Sequence, residues 1–133
     1  GDGPAKNYLE QVANKLNLKD KCLFLGRHLN GYAYFKHFDL YIMSSYSEGF
    51  PLAVLEAAAF SVPTVCSKIP VFEELFESDE IVFFNLNQID DLVNSIKKIA
   101  YKKNIGKSFN KKYLDNYTSY KMNENYIKLI DNL

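Results

Sequence analysis

The sequence predicts an α/β domain built on a doubly wound parallel sheet with helices on both faces. Two observations carry this. Four short apolar runs, at 22–25, 40–43, 64–67 and 81–84, are separated by segments of helical pattern. The run Cys22-Leu23-Phe24-Leu25 is also continuous instead of alternating, as in a strand buried on both faces. The length of 133 residues, with 47% hydrophobic and 24% charged, suits one globular domain and excludes intrinsic disorder.

The elements follow in order. Residues 4–16 carry Leu9, Val12, Ala13 and Leu16 at helical spacing, with Pro4 suited to the first turn. Gly26 closes the first predicted strand, 22–25. A short aromatic helix is expected at 32–37 and a second strand at Leu40–Met43, followed by a polar turn from Ser44 to Gly49. Residues 51–60 form an apolar helix with Pro51 at its first position, and Thr64–Ser67 a third strand. A short helix near 71–77 leads into a fourth strand, Ile81–Phe84. From 88 to 103, Ile89, Leu92, Val93, Ile96 and Ile99 trace one helical face, with Lys97, Lys98, Lys102 and Lys103 suiting the dipole at its end. The segment 107–133, with Tyr113, Tyr117, Tyr120, Tyr126, Ile127 and Ile130, reads as one or two amphipathic helices outside the sheet.

Sixteen basic and sixteen acidic residues balance, which argues against partners bound mainly through phosphate-backbone charge, such as nucleic acid or anionic lipid. No apolar run reaches the length of a membrane span, and no signal segment opens the chain. Cys22 and Cys66 sit in apolar stretches and read as buried hydrophobes of a reducing compartment, so a cytoplasmic location is expected. Arg27 is a solitary arginine among fifteen lysines, at the end of a predicted strand. No His, Cys or Asp cluster suggests a metal site, and no nucleophile–base set stands at a strand end.

Ligands of such sheets bind at the carboxyl ends of the strands, where loops open into helices. Residues 44–60, SSYSEGFPLAVLEAAAF, are the most informative of these places. A helix opening there presents free N–H groups and a positive dipole end, with Gly49 permitting close approach and Leu52 and Ala53 keeping their donors beside Pro51. The helix is apolar on every side and so is expected to be buried, yet Glu56 lies in its middle. A carboxylate there needs donors: amides or a lysine of the domain, or the diol of a ligand.

Glu48, seven residues and then Glu56, within S-x-x-E-G-F-P-L-x-x-x-E-A-x-A, resembles the signature of the family 4 retaining glycosyltransferases. Gly1-Asp2-Gly3-Pro4 is similar to that family's G-x-G-P turn and Leu23-Phe24-Leu25-Gly26 to its F-L-G strand end. Phe38–Tyr41, Ser45, Pro63-Thr64-Val65 and Ile69-Pro70-Val71 with Glu74 extend the likeness over 1–103. Ser44, Pro51 and Ser61 depart from the family's usual proline, glycine and glycine.

The resemblance implies the C-terminal, donor-binding half of a GT-B enzyme, Rossmann-like and lacking its first strands. On this reading residues 1–105 form the nucleotide-sugar-binding domain and 106–133 its helical tail. Glu56 would accept from the nucleotide ribose, and Glu48 would act catalytically beside the donor sugar. Gly49 and the backbone about Phe50, Pro51 and Leu52 would serve sugar and diphosphate. Gly26 and Arg27 would flank the base, with His28 beside them and His37 structural. The substrate would be a nucleotide sugar, used without cofactor or metal and transferred with retention to a glycan or lipid-linked glycan. The acceptor-binding half would lie outside this chain, and any peripheral membrane association, at the cytoplasmic face, would run only through it. The competing readings are a non-catalytic interaction module of the same fold and a sugar-nucleotide epimerase or phosphorylase of similar architecture. By itself the segment is expected to be inactive, marginal or self-associating, because the strands that would pair with 22–25 and 40–43 lie upstream.

Overall fold

The structure, a computed structural model, describes residues 2–101 and 105–131, without the side chains of 126 and 131. It divides into two units, Gly1–Ala33 and Tyr34–Leu133.

In the first unit, helix α1 spans Lys6–Lys15 and buries Ala13, while Leu9 and Leu16 stay exposed. Its end is a left-handed cap: Asn17 has φ 54°, and the Leu18 N–H returns to the Ala13 carbonyl at 2.8 Å. A 3-10 turn, Lys19–Lys21, follows. The strand expected at 22–25 does not form. Cys22 is extended (φ −114°, ψ 121°), but the segment joins no ladder; Leu23 is 82% exposed, and Cys22 is exposed too, not buried. An apolar run becomes a buried strand only when neighbours take its N–H and C=O groups, and no strand does so among the described residues.

The second unit holds the sheet. After a 3-10 turn, Gly31–His37, which crosses the boundary, come β1 (Tyr41–Met43), α2 (Leu52–Ala59), β2 (Thr64–Ser67), α3 (Pro70–Leu75), β3 (Val82–Phe84), α4 (Ile89–Tyr101), α5 (Ile105–Asn116) and α6 (Ser119–Asp131). The strands are parallel in the order β1-β2-β3, with Ile42 beside Val65 and Val65 beside Val82. All four residues of β2 are buried because both faces are covered. Cys66 packs with Val54, Leu55, Phe72 and Phe109 of α2, α3 and α5; Val65 packs on the other side with Val82, Phe84 and Ile99. Ile42, on the Val65 face, remains 40% exposed. Three of the four expected strands are thus present, each within a residue of its predicted place. Lys102 and Lys103 lie outside the described residues, as does the side chain of Tyr126.

The tail packs through α5. Phe109 is buried, and the Asn110 side-chain amide donates to the Ala58 and Ala59 carbonyls at 2.9 and 3.0 Å, capping the end of α2. That end turns through Ser61, whose φ of 58° is left-handed, while the Val62 N–H bonds Ala57 and the Ser61 N–H bonds Ala58. Glycine is the usual residue at this position of such a cap. Ser61→Gly is expected to raise stability by about 0.5–1 kcal/mol, strain relief of about 1–2 outweighing the added freedom of the unfolded chain. A denaturant midpoint that falls in this variant would contradict the assignment.

Candidate functional site

The loop 44–51 connects the carboxyl end of β1 to α2, and two short hydrogen bonds set its path. Ser67, fully buried at the end of β2, donates its hydroxyl to the Ser45 carbonyl at 2.6 Å, and the Ser45 hydroxyl donates to Glu48 Oε1 at 2.6 Å. Glu48 is half-buried. At Gly49 a Cβ would meet nothing within 4 Å, so the space beside it is open to a ligand. Phe50 is half-exposed, its ring 6.4 Å from that of Tyr117.

Pro51 is buried and is the N-cap of α2, not its first helical residue, with ψ 63°. Its carbonyl accepts from Val54 and Leu55. The Leu52 N–H expected to be free bonds the Phe50 carbonyl at 2.9 Å in a tight turn. Among the described residues the N–H groups of Gly49, Phe50 and Ala53 have no acceptor, so of the two donors expected at the helix start Ala53 is open and Leu52 is not, and the loop adds those of Gly49 and Phe50.

Glu56 is exposed, which corrects the expectation of a helix buried on all sides. Leu52, Glu56 and Ala59 share an open face of α2, and Val54, Leu55, Ala57 and Ala58 alone are buried. Glu56 therefore needs no internal partner and stands free to take an external donor. Tyr41, on β1, packs beside Ala57 of α2. Burial first, then Cys66 and the charges of both glutamates, push the Tyr41 phenol up to about 12. Its hydroxyl, kept protonated, donates to Met43 Sδ at 3.2 Å. Burial pushes the Cys66 thiol up to about 12 as well, so it is an inert core group.

Gly26 and Arg27 belong to the first unit. Gly26 has φ 70°, and a Cβ there would stand 2.8 Å from an Asp2 carboxylate oxygen. Asp2 accepts from the Lys6 ammonium at 3.0 Å and from the Arg27 N–H at 2.9 Å, and these bonds hold its carboxyl below the usual range. Asp2 thus ties down the loop that presents the Arg27 side chain, which is exposed. His28 donates from Nε2 to the Leu25 carbonyl at 2.9 Å, and His37 is exposed at the end of its 3-10 turn.

Beside the glutamate loop, a cleft of about 370 Å³ lies between the loops after β1 and β3, lined by Ser44, Tyr46, Phe84, Leu86, Asn87 and Leu92 among others. The Tyr46 hydroxyl spans it to Asn87 Oδ1 at 3.0 Å. Neither glutamate lines it. Sequence reasoning attached no role to Ser45, Ser67, Tyr41 or Asp2; the S-x-x-E spacing was the available signal for Ser45. No helix among the described residues is long and apolar enough to cross a membrane, and no group of His, Cys, Asp and Glu among them is placed to hold a metal ion.

A three-stranded parallel sheet with helices on both faces makes this a Rossmann-like domain, similar in fold to solved GT-B glycosyltransferases. The model of the family described as Glycosyl transferases group 1 matches residues 1–114, and the chain belongs to that family. It is 30% identical over 135 residues to the O-antigen biosynthesis glycosyltransferase WclY of Escherichia coli, a match covering all of this chain and 38% of that protein. It is 31% identical over 102 residues to the UDP-Gal:alpha-D-GlcNAc-diphosphoundecaprenol alpha-1,3-galactosyltransferase of Escherichia coli, covering 75% of the chain and 26% of that protein. In fold it is similar to HepE of Anabaena, solved in complex with UDP: TM-score 0.86, 20% identity, 96% of this chain and 36% of that one. The chain thus spans well under half the length of these relatives.

Proposed function

We propose that the chain is the donor-binding half of a family 4, retaining glycosyltransferase that takes a nucleotide sugar. Glu56, on the open face of α2, accepts from the ribose hydroxyls. Glu48, anchored in the loop, meets the sugar and acts in the chemical step. The open N–H groups of Gly49, Phe50 and Ala53 receive diphosphate and sugar oxygens, with the N-terminal dipole of α2 behind them. Pro51 and Leu52 shape this turn without offering a donor. Gly26 and Arg27 are assigned to the base of the nucleotide.

Charge developing on the departing diphosphate is met by these amides, the dipole and basic side chains, so that no metal or cofactor is required. A glycan or lipid-linked glycan acceptor would be held by a partner half of the same enzyme, at the cytoplasm or its membrane face. The single observation that carries the reading is the half-buried Glu48, held by the Ser45 hydroxyl in a loop where the Gly49 and Phe50 N–H groups lack acceptors, at the start of the helix whose open face carries Glu56. Relatives support it: one is named for UDP-Gal as its donor, and another was solved with UDP.

The test is calorimetric titration of the full-length protein with a panel of nucleoside diphosphates. Glu56→Gln is expected to weaken the preferred one by about 1–3 kcal/mol, the worth of charge-assisted hydrogen bonds. Because Glu56 is exposed, the variant should melt as the parent does. Unchanged affinity would remove the ribose role.

A further inference from the structure

We propose that Ser45 is a positioning residue for Glu48 and that Ser67 fixes Ser45 in turn, an inference that rests on the sugar-binding role given to Glu48 above. The 2.6 Å separation between the Ser45 hydroxyl and Glu48 Oε1 is that of a short hydroxyl–carboxylate bond. Its anchor is the middle strand of the sheet. Ser67 is fully buried on the central strand, is held in register beside Phe84, and reaches across to the Ser45 carbonyl at 2.6 Å. One serine therefore sets where the loop backbone lies, and the next sets which way the carboxylate faces.

The S-x-x-E spacing is also that of a helix capping box, but that is not its use here. α2 begins at Leu52, four residues beyond Glu48, and the Ser45 hydroxyl meets the Glu48 side chain, not a helix N–H. Nor does the bond hold the core, since Ser45 and Glu48 are only half-buried and belong to none of the apolar clusters. What the arrangement does is occupy Oε1 and leave Oε2, which has no partner among the described residues, aimed and available for a ligand hydroxyl. A glutamate on a loop otherwise samples many rotamers, and a group that must meet a sugar benefits from having that freedom removed before binding.

The experiment compares two dissociation constants of the full-length protein by calorimetry: for UDP, and for UDP-glucose or UDP-galactose, whichever the parent binds more tightly. Ser45→Ala is expected to raise the ratio of sugar-nucleotide to UDP constants about five- to tenfold, with UDP itself changed less than twofold. Glu48→Gln should raise the same ratio, and the double variant should go no further than Glu48→Gln alone, because both act through one carboxylate. Ser45→Thr, which keeps the hydroxyl, should stay within twofold of the parent. Should Ser45→Ala not fold, Ser45→Cys takes its place, with nearly the same volume, a much weaker donor and the same expected rise. A parallel loss for UDP and the sugar nucleotide, or additive effects in the double variant, would overturn the inference while leaving the role of Glu48 standing. A ratio unmoved by Glu48→Gln would overturn both.

Discussion

Lys112→Met is expected to destabilise the protein by about 2–3 kcal/mol, because it leaves a buried carboxylate without its counter-ion. The buried charge among the described residues is Glu80, whose side chain is 8% exposed, not Glu56. Glu80 Oε2 accepts from the Lys112 ammonium at 2.9 Å and from the Glu77 N–H at 2.8 Å, tying α5 to the loop between α3 and β3. Severing a fully buried pair costs about 3–5 kcal/mol; the figure is smaller here because Lys112 is a quarter exposed and the Glu77 amide remains. Burial pulls the Lys112 ammonium down, but the hydrogen bond and charge of Glu80 and the charge of Glu77 outweigh it and hold it above its ordinary value. This contribution is therefore whole below the unfolded pKa of lysine and is lost as pH rises through the higher folded one. The double variant Lys112→Met/Glu80→Gln should recover most of the loss, since no stranded charge remains. Urea unfolding of the three variants reads this directly, and a cost under about 0.5 kcal/mol for Lys112→Met would place the pair among ordinary surface ion pairs.

Gly106→Ala is expected to cost about 1–3 kcal/mol, although alanine is the better helix former by about 1 kcal/mol. The added Cβ would overlap the Ser61 carbonyl oxygen and press on the Pro63 nitrogen. Both are backbone atoms of the turn between α2 and β2, so no side chain can swing aside. Either α5 moves off α2, straining the Asn110 bonds and the packing of Phe109, or the turn shifts β2. Thermal unfolding measures the sign: a raised melting temperature would mean that propensity prevails and that the approach of α5 to the turn is looser than described.

Much of the fold was legible because its signals are local. Thr64–Ser67 was predicted to the residue, and the strands at 41–43 and 82–84 within one, since short runs of β-branched, aromatic and other mostly apolar residues between helical patterns are written in consecutive residues. The loop carrying Glu48 was legible for a similar reason: a polar turn with glycine and proline between a strand and a helix has one place to go. The same local logic failed at 22–25, where the composition of a strand is present and the neighbour that would make it one is not among the described residues.

The sequence by itself determined the order of elements from Leu40 onward, the parallel α/β class and the glycosyltransferase kinship, because hydrophobic period and motif spacing are properties of contiguous residues. Tertiary structure alone decided which charge is buried. Glu56 sits in the most apolar helix and is exposed; Glu80 sits in a polar stretch and is covered, since burial belongs to whatever packs against a residue and not to the residue's own segment. It also decided that Ser67, twenty-two residues along the chain from Ser45, holds the loop in which Glu48 is aimed. That contact joins neighbouring strands across a parallel crossover, and no reading of consecutive residues contains the register that brings them together.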